Sequence, residues 1–93
     1  MTYIKVAWKH TKSEYPVVLY SELDDDRWEV RKVEIFSDGR CGFASAAESA
    51  GSTGLGEAPI PVLAEIASDS QFEPVEITKE EFEDVWAKRK RRN

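Results

Sequence analysis

Few side chains in this chain can do chemistry, and each stands apart from the partners that chemistry requires. His10 is the only histidine. It follows Trp8 in a polar stretch, and no nucleophile or orienting carboxylate is spaced to make it a general base. It reads as a surface residue. Cys41 is the only cysteine. It alternates with Phe43 on an expected strand, which turns neighbouring Arg40 to the opposite face and leaves no cation to lower the thiol pKa. Cys41 therefore reads as a structural, buried thiol.

The densest cluster is acidic: Glu22, Asp24, Asp25 and Asp26. It lacks the ligand spacing and terminal bidentate glutamate of an EF-hand loop. A glycosidase pair would need a cleft and sugar-stacking aromatics that a domain of this size hardly builds. Two readings stay open. One is a solvated turn. The other is a docking surface for a basic protein, with Trp28 beside the acids as an anchor. The stretch Gly51-Ser52-Thr53-Gly54-Leu55-Gly56 lacks the Lys-Ser/Thr ending of a phosphate loop. It reads as a flexible connector or as a loop that touches a partner. Arg31-Lys32 with Trp28 and Tyr20 resembles a base-stacking surface, but Glu29 and Glu34 flank it and spoil the positive field. These residues supply no catalytic, cofactor-binding or metal-ligating set.

Charge is unevenly spread. Residues 1–87 hold eight of the thirteen Lys/Arg and all eighteen Asp/Glu, whereas Lys88 to Arg92 are five consecutive cations. The body should repel nucleic acid and attract a basic protein partner. For the tail, 88–93, three fates are open: fraying into solvent, binding nucleic acid or an acidic partner, or folding back on the body's own acids. With 93 residues the chain fits a single α+β domain, 1–93. Ten aromatic residues let so short a chain close a core. One cysteine allows no internal disulfide, no basic-then-apolar leader opens the sequence, and no apolar run is long enough to span a bilayer. The expected place is the cytoplasm, without a membrane.

The elements that must position these residues are legible in the hydrophobic pattern. Tyr3–Trp8 alternates, with Ile4, Val6 and Trp8 on one face, and reads as a strand. Val17–Leu23 is a second strand, and Asp24-Asp25-Asp26 makes a hairpin loop. A third runs from Arg27 to Phe36, but Trp28 and Val30 differ in parity from Val33 and Ile35. A β-bulge near Arg31-Lys32, within residues 30–33, reconciles them, because one extra residue reverses the alternation. A long strand buried on both faces is the alternative. Asp38-Gly39 signals a tight hairpin into a fourth strand, Arg40–Ser45. A helical turn is expected within 46–50, and a short helix over 62–68 with Leu63 and Ile66 inward. Thr78-Lys79-Glu80-Glu81 is a capping box, with Ile77 and Phe82 as its hydrophobic staple. It opens a helix whose stripe is Phe82, Val85 and Trp86. The fold expected is α+β: a curled antiparallel sheet of four to five strands with one or two C-terminal helices packed on it.

Four blocks carry a family likeness: Tyr3-Ile4-Lys5-Val6, Leu19-Tyr20-Ser21-Glu22-Leu23-Asp24, Glu29 to Phe36 with Asp38-Gly39-Arg40, and Ile77-Thr78-Lys79-Glu80-Glu81-Phe82. They resemble a bacterial family of short, stand-alone acidic proteins catalogued as a domain of unknown function. The resemblance spans nearly the whole chain and implies no catalytic residue. By analogy of type, short acidic bacterial proteins are often immunity proteins. The reading taken forward is a non-enzymatic protein-binding module that neutralises a basic toxin, with Glu22, Asp24, Asp25, Asp26 and Trp28 as its contact residues. The alternatives are a small enzyme or ligand-binding domain with a cleft between the sheet and the 46–60 loop, or a phage or defence accessory protein that mimics nucleic-acid charge.

Overall fold

The computed structural model describes residues 1–51 and 53–92, Arg91 and Arg92 by their backbone alone; Ser52 of the glycine stretch and Asn93 of the tail lie outside the described residues. The chain folds as an α+β domain built on one six-stranded antiparallel sheet. Its strands are β1 (Thr2–Trp8), β2 (Val18–Leu23), β3 (Glu29–Ile35), β4 (Cys41–Ser45), β5 (Ser49–Ala50) and β6 (Phe72–Ile77), with α1 (Leu63–Ala67) and α2 (Lys79–Ala87) beside them. The spatial order is β5-β4-β3-β2-β1-β6.

Two expectations change. The helical turn sought within 46–50 is a bend followed by β5. The sheet also gains β6, a run that Pro74 makes unpromising as a strand. Proline is tolerated there because β6 is an edge strand, pairing with β1 alone. Pro74 on one edge and a two-residue strand on the other leave little for a foreign strand to extend.

The β2–β3 pairing runs Ser21↔Lys32 and Glu22↔Arg31, then jumps to Leu23↔Glu29. Val30 is the extra residue, so the bulge stands at the start of the expected window. Both hairpins place a residue at positive φ after their turn: Gly39 at 90°, where glycine costs nothing, and Arg27 at 66°, where a side chain is strained. Arg27 is held there by four bonds, the first from its N–H to the Asp24 carbonyl at 2.9 Å. Its Nε donates to the Ile60 carbonyl and its Nη2 to the Pro61 carbonyl, each at 2.7 Å, and its own carbonyl accepts from Ile60 N at 2.8 Å.

The sheet is covered on both sides. On one face, Tyr3, Val33, Cys41 and Phe43 meet Phe82, Val85 and Trp86 of α2. Both arms of the α2 capping box form: Glu81 N donates to Thr78 Oγ1 at 3.1 Å, and Thr78 N donates to Glu81 Oε1 at 3.2 Å. On the other face, Ile4, Val6 and Leu23 meet Ile60, Leu63, Ile66 and Phe72. Phe82 is wholly buried. Replacing Phe82 with Ala should cost about 3–5 kcal/mol, and replacing Thr78 with Ala about 1 kcal/mol, by chemical denaturation. A Phe82→Ala loss under about 1 kcal/mol would show that α2 does not close the core.

Candidate functional site

The acidic turn divides on inspection. Glu22 is not part of an exposed edge: it is 6% exposed and faces α2. Its two oxygens accept from Arg31 Nε at 2.6 Å and Nη2 at 3.0 Å, and the Tyr3 hydroxyl donates to it. Arg31 also donates to Glu83 of α2 through Nη1 at 3.0 Å and Nη2 at 2.8 Å. Its guanidinium lies 5.0 Å from the Phe82 ring centre and 5.1 Å from that of Trp86. Glu22 is thus an internal counter-ion. Asp24 organises the turn: its Oδ1 accepts from Asp26 N and Trp28 N, both at 2.9 Å. Asp25 and Asp26 are exposed, with Asp25 3.9 Å from the N-terminal amine. Trp28 is 41% exposed.

The remaining expected residues also find internal roles. Arg31 and Lys32 point to opposite faces, and both are taken up by carboxylates. His10 is half-buried; its Nε2–H donates to the Pro16 carbonyl at 2.8 Å and its Nδ1 accepts from Lys12 N at 3.0 Å, so the ring ties the loop together. In the tail, Lys88 pairs with Asp84 at 3.0 Å, and Lys90 reaches Glu48 at 3.5 Å. Arg89 Nε donates to Glu48 at 3.2 Å, with its guanidinium 4.1 Å from the Trp86 ring centre. These three cations fold back on carboxylates of the body, with the Lys88 and Lys90 side chains still open to solvent.

From Thr53 to Gly56 the glycine stretch is fastened, not a loose connector. Glu29 Oε1 accepts from Gly56 N at 2.6 Å and from Lys32 Nζ at 2.9 Å, while Oε2 accepts from Ser21 Oγ at 3.1 Å. Lys32 Nζ also donates to the Gly54 carbonyl at 3.1 Å. Thr53 Oγ1 donates to Glu34 at 2.7 Å and lies where a Cβ on Gly42 would be, 2.1 Å from that position. Beyond this loop the covering is incomplete. A cleft of about 340 Å³ opens between the sheet and α1. Ile4, Val6, Leu19 and Phe72 line it from β1, β2 and β6, and Ile60 and Ile66 from the other side. Ser21 and Glu29 line one part of it, and exposed Glu65 and Asp69 another. The size lies within the range of natural ligand sites.

Reasoning from sequence missed Ser21, Glu29 and Arg27. The parity break in β3 was the available signal, since a bulge there moves Glu29 onto the cleft face. Among the described residues, no group of His, Cys, Asp and Glu is gathered to hold a metal ion, and no helix is long and apolar enough to cross a membrane.

The architecture defines a small α+β domain with one sheet face sealed by a capped helix and the other left with an apolar, acid-rimmed cleft. The chain belongs to the family described as domain of unknown function DUF6881, whose model matches residues 2–91. No curated protein and no solved structure matches it.

The Arg31 network ties stability to pH. Hydrogen bonding to Arg31 holds the Glu22 and Glu83 carboxyls below their ordinary value of 4.5, against burial that would raise them. A depressed folded-state pKa gives stability that is whole above the ordinary value and is lost as pH falls below it through the lowered values. Acid unfolding should therefore steepen below about pH 4.5. Glu22→Gln should flatten that dependence and cost about 3 kcal/mol, because it leaves Arg31 half-paired in a partly buried site. Melting curves across pH for both proteins provide the check.

Proposed function

We propose that this domain is a non-enzymatic protein-binding module whose partner is basic. The observation that carries the reading is the cleft face. Its apolar lining suits buried contact, and the charged residues lining it, Glu29, Glu65 and Asp69, are all acidic. The exposed acids Asp25 and Asp26 belong to the hairpin that Arg27 pins to the Ile60-Pro61 wall of the same cleft. Acidic groups around an apolar centre are the arrangement that steers a basic partner and then holds it. Trp28, exposed on the same hairpin, adds an aromatic contact. A cytoplasmic bacterial immunity protein that occludes a toxin's positive substrate cleft is the member of this class we favour, since occlusion asks only for shape and charge. A small-molecule-binding domain is the second reading, favoured by the volume of the cleft.

The test compares the native protein with an Asp25→Asn, Asp26→Asn, Glu65→Gln, Asp69→Asn variant. Native-cell capture with mass spectrometry supplies the partner, and surface kinetics measures it across a salt series. The association rate should fall steeply as salt rises through 0.1 M, where screening acts over about 10 Å, and should fall in the variant at low salt. A partner whose association ignores both salt and the four substitutions would sink the proposal.

A further inference from the structure

Where Ser21 and Glu29 line the cleft, each hydrogen they can offer is already committed. Ser21 Oγ donates to Glu29 Oε2 at 3.1 Å, and Glu29 Oε1 takes Gly56 N and Lys32 Nζ. The lone pairs left on Ser21 Oγ and Glu29 Oε2 make this part of the cleft an acceptor without a donor. The rest of the lining is apolar apart from Glu65 and Asp69, and no Lys, Arg or His lines it among the described residues. An anion would meet three carboxylates. A purely apolar group would make no use of these remaining lone pairs. Lysine and arginine side chains match both features: their stems are apolar and their heads donate without accepting.

We infer that the cleft receives a lysine or arginine side chain of the basic partner. The stem lies along Ile4, Val6 and Leu19, the N–H groups donate to Ser21 Oγ and Glu29 Oε2, and Glu65 and Asp69 complement the charge. At about 340 Å³, the space also holds an apolar neighbour of that residue. This deepens the partner reading above and rests on it.

The probes are n-hexylguanidinium, n-hexyltrimethylammonium and n-hexanol, titrated into the isotope-labelled full chain and followed by NMR. The first has stem, charge and donors; the second lacks donors; the third lacks charge. Hexylguanidinium should shift the amides of Ile4, Val6, Ser21 and Ile66 and bind roughly ten-fold more tightly than either of the others. Ile66→Lys, which places a cation in the half-buried wall of α1, should abolish its binding, and so should Leu19→Lys, which places a cation in the β2 wall and leaves the Leu63 and Ile66 contacts of α1 intact. Glu65→Gln with Asp69→Asn, both exposed, should narrow its advantage. Equal binding of hexanol or hexyltrimethylammonium, or shifts outside the cleft, would overturn the inference. So would a basic partner bound as tightly by folded Ile66→Lys as by the native protein, although the partner reading would then survive. Hexylguanidinium binding without any salt-dependent basic partner would overturn the protein source of the side chain.

Discussion

One extra residue, Val30, decides what each face of the sheet carries. Without the bulge, Glu29 would share parity with Arg31 and Val33 and point toward α2. With it, Glu29 pairs opposite Leu23 and joins Lys32 and Glu34 on the other face. The Lys32–Glu29 ion pair, three residues apart along a single strand, records this directly, since regular alternation puts such residues on opposite sides. The carboxylate that the bulge redirects then fixes Gly56, and with it the path of the chain toward Ile60, Pro61 and α1. Ironing out the bulge with Val30 kept in the ladder would turn a buried carboxylate into the α2 core and release the loop that bounds the cleft, whereas deleting Val30 would leave Glu29 opposite Leu23 on the cleft face.

The two coverings of the sheet differ in how they are secured. α2 brings its own cap, a stripe of three apolar residues and a charged partner for Arg31. A nine-residue helix is too short to persist alone and depends on that docking. The five-residue α1 has no side-chain cap and buries none of its residues. It stays in place through Leu63 and Ile66 against β1, and through Arg27, which accepts a strained backbone to hold the preceding carbonyls. A cover held at its ends and loosely packed between them leaves a gap, and that gap is the cleft. The Arg31 network works in the opposite sense. An ion pair this enclosed adds little over apolar packing, but it penalises any arrangement that leaves one member alone, so it fixes the docking angle of α2.

What the sequence made legible follows from the range of each cause. The capping box, the Asp-Gly hairpin and the first four strands rest on neighbours in sequence, and all stand where local pattern puts them, within a residue or two. The bulge was readable because parity is a local count. Its consequence was not, because the fate of Glu29 depends on Gly56, 27 residues away. Glu22 illustrates the same limit: beside three aspartates it looks like part of an acidic edge, and only its cross-strand partner Arg31 shows otherwise. β6 was hidden by Pro74, whose tolerance depends on which strand lies at the edge.

Charge pairing completes the picture and explains why an acidic surplus does not unsettle the fold. Of the described basic residues, Lys9, Arg31, Lys32, Arg40, Lys88, Arg89 and Lys90 sit on carboxylates of the same chain. Lys5 and Lys12 lie over tyrosine rings, and Arg27 is spent on carbonyls. Internal pairing therefore uses up most of the positive charge, and the net −5 is carried outward by carboxylates such as Asp26 and Glu65, which make no ion pair among the described residues. Exposed like charges cost little in water, because solvent and salt screen them. The same charges brought against a partner's apolar surface lose that screening and discriminate strongly by sign. Carboxylates at the rim of the cleft can therefore be nearly neutral for folding and decisive for what the cleft admits.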